Sequence, residues 1–148
     1  MLAISEFPGA QRSDRLRPLI SADAKPHFDA LTQGRLTLQS CRSCGRARFP
    51  CGPVCTWCGS AEAEWIDDAG QGQVHSWVRY HRSFMTEFET LIPYVVLAVK
   101  LHIGPVLFGR LVDANPTEPQ IGMPAQAVVE RWADGFSGLA FTLSGGPT

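Results

Sequence analysis

A chain of 148 residues, 45% apolar and 18% charged, is the size of one globular domain or of a small metal-stapled module joined to a compact barrel. Its formal charge of −1 excludes a general electrostatic attraction to nucleic acid or acidic membranes. The first residues do not follow the basic, apolar, small-residue order of a secretory leader, and no apolar run reaches about 18 residues, so the expectation is a soluble cytoplasmic protein.

Residues 1–22 mix Pro8, Gly9 and Pro18 with charges and lack sustained periodicity, which predicts a tail that is loose or laid against something else. From Ala24 the pattern becomes helical. Pro26 suits a first helical turn, Phe28 and Leu31 share a face, and Gly34 suits the helix end. Leu36 and Leu38 then alternate with polar neighbours in a strand that leads into Cys41.

Residues 41–58, CRSCGRARFPCGPVCTWC, organise the rest of the chain. Two Cys-x-x-Cys units, Cys41 with Cys44 and Cys55 with Cys58, are each followed by glycine, Gly45 and Gly59. In such a knuckle two thiolates share one tetrahedral ion, and the chain beyond the second cysteine swings into a left-handed conformation that glycine adopts without steric cost. The set reads as a closed structural zinc site rather than disulfides, with iron as the alternative that the same four sulfurs accept. A closed site leaves the metal no open position for catalysis. The fifth cysteine, Cys51, has no base near it in sequence and reads as a packing residue or free thiol.

No acid occurs from residue 30 to residue 61, while Arg35, Arg42, Arg46 and Arg48 all do, and Glu62, Glu64, Asp67 and Asp68 follow. This basic patch either solvates a ribbon with little interior or meets a phosphate-bearing partner. After a linking strand around Trp65, expected to pack where ribbon meets barrel, a turn at residues 70–72 opens a series of strands. These are expected at 73–82, 94–102, 106–112 (with Gly109 marking a bend or bulge), 125–132 and 139–143. Five short strands predict a small closed barrel, because closure hides strand edges. The expected organisation is a tail over 1–22, helix plus ribbon over 23–66 and the barrel over 67–148.

On the first barrel strand, alternation with Val74, Ser76, Val78 and Tyr80 inward sets His75, Trp77, Arg79 and His81 on the other face. That face could stack on a base or meet phosphates; the opposing expectation is that the strand bends and Trp77 is core. The 83–93 loop carries Phe84, Met85, Phe88, Leu91 and Ile92 with only Glu87 and Glu89 as acids. Part of it is expected to cap the barrel and part to contact another protein. The histidines, His27, His75, His81 and His102, are scattered, and no nucleophile elbow or phosphate loop is present, so no catalytic residue is assigned.

The cysteine knuckles with Phe49 and Pro50 between them, the 70–72 turn, Pro93-Tyr94-Val95-Val96, Gly109-Arg110-Leu111-Val112-Asp113 and Ile121-Gly122-Met123-Pro124 make the chain resemble a family of zinc-ribbon/OB-fold proteins associated with acyl-CoA metabolism. The resemblance covers residues 28–143. It implies a mainly β fold, with an N-terminal helix, a rubredoxin-like zinc ribbon and a five-stranded OB-fold barrel. It also implies structural zinc, no catalysis by the chain alone, and docking onto a thiolase-like, aldolase or hydratase catalytic subunit, with acyl-CoA as a shared ligand. The alternative is a single-stranded nucleic-acid-binding module, which the few basic residues of the barrel (Arg79, Arg82, Lys100, Arg110 and Arg131) disfavour.

Overall fold

A computed structural model describes residues 1–9, 18–113 and 118–144. One α-helix, α1 (Lys25–Thr32), precedes a three-stranded antiparallel ribbon of β2 (Leu36–Cys41), β3 (Ala47–Arg48) and β4 (Ala63–Asp68), with β2 central. The helix starts with Pro26 in its first turn, and Gly34, at φ +76°, turns the chain out of it into β2. Among the described residues no helix is long and apolar enough to cross a membrane.

The barrel is built from β5 (Gln71–Tyr80), β6 (Tyr94–Leu101), β7 (Val106–Leu111), β8 (Pro124–Arg131) and β9 (Ser137–Leu143). Antiparallel pairing joins β8, β5, β6 and β7 in turn, a short parallel pairing joins β7 to β9, and β9 pairs back to β8. This is the closed five-stranded barrel expected from the sequence. Its core of Val74, Leu97, Val99, Leu107, Val129 and Phe141 continues without a break into Leu31 of the helix and Leu36 and Leu38 of the ribbon. One apolar core therefore crosses the boundary that the sequence placed after residue 66, and the ribbon is anchored by β2, all six residues of which are buried.

Local readings change at four places. Within residues 1–22, the segment Ile4–Glu6 is a strand, β1, laid parallel along β8. The Leu2 amide donates to Gly34 O, the Phe7 amide donates to Arg131 O, and Leu2 is buried, so the first nine residues belong to the fold. Residues 10–17 of the expected tail lie outside the described residues. In β1 apolar alternation is too short to be seen in sequence, because only three residues pair.

Gly109 marks no bulge: it sits in regular register opposite Leu97, where a Cβ would lie 2.8 Å from the Leu139 carbonyl oxygen of the strand that closes the barrel. Gly72 belongs to β5 rather than to the turn, and a Cβ there would lie 2.4 Å from Lys100 O. Finally, Ile66 rather than Trp65 packs against the shared core; Trp65 is half-buried opposite Gln39.

Candidate metal centre and docking face

The sulfurs of Cys41, Cys44, Cys55 and Cys58 all lie within 4.8 Å of one another. The Cys41–Cys58 and Cys44–Cys55 separations are 3.6 and 3.7 Å. A disulfide needs about 2.05 Å, whereas zinc–sulfur bonds of about 2.3 Å in a tetrahedron put the sulfurs about 3.8 Å apart. The cluster therefore has the spacing of a tetrathiolate site.

The two knuckles are built alike. Gly45 and Gly59 stand at φ +74° and +76°, and their amides donate at 2.8 Å to the carbonyls of Cys41 and Cys55 respectively. The amides of Cys44 and Ser43 point at the Cys41 sulfur and hold its pKa below the usual thiol value. The amides of Cys58 and Trp57 do the same for Cys55, lowering it to about 6. The Ser60 amide draws Cys58 down, but the adjacent sulfurs Cys41, Cys55 and Cys44 together with burial outweigh it and push that thiol to about 11. Four thiols this close cannot all ionise side by side without a cation, and the donor set is that of zinc or iron.

Cys51 stands apart from the four and is half-buried, with burial pushing its pKa up. Beside it Arg48 is only 6% exposed. Its Nε donates to Gln39 Oε1 at 3.0 Å, its Nη2 to Gly52 O at 3.0 Å, and Gln39 Oε1 also accepts from the Gly52 amide. Arg48 therefore tethers the inter-knuckle loop to β2 instead of facing solvent.

The other arginines of the basic patch are divided. Arg35 pairs with Asp67 at 2.9 Å, and Arg42 approaches Glu64 at 3.8 Å. The Arg35 guanidinium, together with a hydrogen bond from Thr37 Oγ1 that contributes most, lowers the Asp67 pKa. Arg46 lies over the Trp57 ring, 4.3 Å from its centroid, at a groove of about 530 Å³ between the ribbon and the β6–β7 turn. Trp57 is 67% exposed, and the sequence reading passed it over because it sits inside a ligand knuckle.

The four residues assigned to one face of β5 do not share one. A bulge between Val74 and Ser76 reverses the alternation, in line with the opposing expectation that Trp77 is core: Trp77 turns toward the core opposite Leu97, Val78 turns out, and Arg79 lies opposite Val95 with Glu118 at 3.9 Å. His75 on the strand and His81 just beyond its end are both exposed. His27 is buried in the helix, donating from Nδ1 to Thr37 O at 2.8 Å, with burial lowering its pKa; His102 is exposed.

The 83–93 loop divides its apolar side chains. Phe88 turns in, 5.4 Å from Phe7 and 5.1 Å from Tyr94 between ring centroids, and Leu91 is half-buried. Phe84, Met85 and Ile92 face outward at 78, 47 and 37% exposure, with the Arg82 guanidinium 6.0 Å from the Phe84 ring centre. Three outward apolar groups on one connection, flanked by a cation, form a surface of the kind that proteins use for association.

Residues 28–64 match the family described as ChsH2, rubredoxin-like zinc ribbon domain, and residues 65–130 match ChsH2, C-terminal OB-fold domain. The chain belongs to the ChsH2 (DUF35) family. It is 35% identical to a chain of the solved Ltp2-ChsH2(DUF35) aldolase, with a TM-score of 0.76 over 86% of this chain and 98% of that one. A DUF35-family protein of unknown function from Sulfolobus solfataricus, 14% identical with a TM-score of 0.60 over 84% of this chain and 87% of that one, shares the fold.

Among curated proteins, a probable enoyl-CoA hydratase alpha subunit of Thermomonospora curvata is 40% identical over 120 residues, 81% of this chain and 36% of that protein. A DUF35 domain-containing scaffold protein of Methanocaldococcus jannaschii is 34% identical over 92 residues, 62% of this chain and 64% of the relative. The chain thus spans about a third of the first relative's length and slightly under two-thirds of the second's.

Proposed function

We propose that this member of the ChsH2 (DUF35) family is a non-catalytic accessory subunit. Cys41, Cys44, Cys55 and Cys58 hold a structural zinc ion. The outward residues of the 83–93 loop dock onto an aldolase, hydratase or thiolase-like catalytic subunit, and the complex binds or channels an acyl-CoA. The observation that carries this reading is the match over 98% of a chain of the structure named Ltp2-ChsH2(DUF35) aldolase, joined to the exposed Phe84, Met85 and Ile92. The names of the relatives, a scaffold protein and a hydratase alpha subunit, point the same way.

Docking is tested by purifying the untagged chain from its native host and identifying what co-purifies at equal stoichiometry. A thiolase-like, aldolase or hydratase protein is the expected result, and recovery of nucleic acid alone overturns the accessory role. With the partner in hand, Phe84→Ser combined with Met85→Ser should weaken the complex about tenfold or more, as loss of central apolar contacts does. Undiminished affinity would remove the loop from the interface. Titrating the complex and the chain alone with an acyl-CoA then separates a shared ligand from one held by the partner.

A further inference from the structure

The first residues, expected as a tail that is loose or laid against something else, meet the 83–93 loop at two points. Phe7 stacks on Trp132 with ring centroids 4.0 Å apart and planes at 4°, and it meets Phe88 edge-on at 5.4 Å. Phe88 also contacts Tyr94, which stacks on Tyr80 at 4.9 Å. Gly9 passes so near the loop that a Cβ there would lie 2.5 Å from the Glu87 carbonyl oxygen. The backbone of this segment is fixed in turn: Ile4–Glu6 pairs with β8, the Leu2 amide bonds to Gly34 O and the Phe7 amide to Arg131 O.

The backbone bonds within the loop form a single short turn, from the amides of Phe88, Glu89 and Leu91 to the carbonyls of Met85, Thr86 and Phe88, and Ser83 Oγ donates to the Met85 carbonyl and accepts from the Met85 amide. A turn of this length has no stability of its own in water. Phe88, the middle residue of the loop's sequence, enters the aromatic group formed by Phe7, Trp132 and Tyr94. The neighbours Phe84 and Met85 are left outward on the same turn.

We infer that the N-terminal segment is a strap that presets the docking face, with Phe7 as the positioning residue that holds Phe88 and thereby presents Phe84, Met85 and Ile92. Its consequence for assembly rests on the docking role proposed for the loop; its effect on the loop does not. A preset loop pays less ordering entropy on association, and the exposed Phe84 beside Arg82 fits an apolar pocket bordered by a carboxylate on the partner.

Hydrogen exchange of the full zinc-loaded chain reads the strap directly, without any partner. Phe7→Ala should speed exchange of the Phe88, Glu89 and Leu91 amides about tenfold, the factor expected for loss of an aromatic pair. Amides of β6 and of the knuckles should keep their protection. Phe84→Ser, which removes an outward group, should leave loop exchange unchanged.

Unaltered loop exchange in a folded Phe7→Ala protein overturns the inference. If Phe7→Ala loosens β6 as well, Phe7→Leu, which keeps apolar bulk without the stacked ring, is read in its place by the same criterion. A loosened loop together with undiminished partner affinity in Phe84→Ser would keep the strap and refute the docking role. An unchanged loop with weakened affinity would do the reverse.

Discussion

Removing the metal from the ribbon should open residues 42–62 and leave the barrel closed. The reason lies in what that segment buries. Between residues 42 and 62 only Arg48 and Cys55 are buried, whereas all six residues of the adjoining β2 are. Burying one large apolar side chain contributes about 1.5–3 kcal/mol, and this segment has only the half-buried Phe49 packed against the core, while structural zinc supplies about 10–16 kcal/mol to a peptide that folds around it. The metal term therefore dominates the order of the knuckles, and apolar packing dominates the order of the barrel.

The assay is metal analysis combined with hydrogen exchange before and after chelation. The wild type should carry one zinc per chain. The amides of Gly45, Cys55 and Gly59, all hydrogen-bonded within the knuckles, should lose protection by orders of magnitude when the metal is removed. Amides of Val99 and Val129 in the core should not. Cys44→Ser should behave like the chelated protein, and Cys51→Ser should retain its metal. Native protection of the knuckle amides in metal-free protein would refute the reasoning, as would metal lost with Cys51.

Two further outcomes probe the fold that positions these sites. His27 is buried neutral with its pKa below the ordinary 6.5, so the unfolded chain takes up a proton before the folded one does. Stability should therefore fall as pH drops below about 6.5, by up to about 1.4 kcal/mol per pH unit until the folded-state pKa is reached. His27→Gln should flatten that part of a urea-denaturation profile, and an unchanged slope would show that His27 is not its source. Gly109→Ala should cost about 1–3 kcal/mol by pressing a methyl group against the Leu139 carbonyl and the Phe141 ring where β7 meets β9. Gly52→Ala, whose Cβ meets nothing within 4 Å, is the near-neutral comparison; equal urea midpoints for the two would refute the close approach.

The sequence by itself determined what depends on local chemistry. Cys-x-x-Cys-Gly is a complete instruction for a knuckle, because the ligands and the left-handed residue that follows them lie within five positions. The barrel strands announced themselves through runs such as residues 94–101, rich in β-branched residues, where Val95, Leu97, Val99 and Leu101 recur at every second position on the core side. The division of the 83–93 loop between core and surface was also legible, since five large apolar groups exceed what one cap can bury.

Tertiary structure alone decided the rest. Whether His75, Trp77, Arg79 and His81 share a face depended on one bulge in β5, which reverses side-chain direction and leaves no mark in residue type. Gly109 and Gly72 are small because strands distant in sequence pass within contact of them, a requirement invisible along the chain. The arginines of the ribbon formed one basic run in sequence and separate in space, two against acids, one into the interior and one onto Trp57. The N-terminal segment shows no periodicity because three paired residues are too few to display one. Its place is set instead by pairing with β8 and by Phe7, whose partners Phe88 and Trp132 lie 81 and 125 positions further on and meet it only when the barrel has closed.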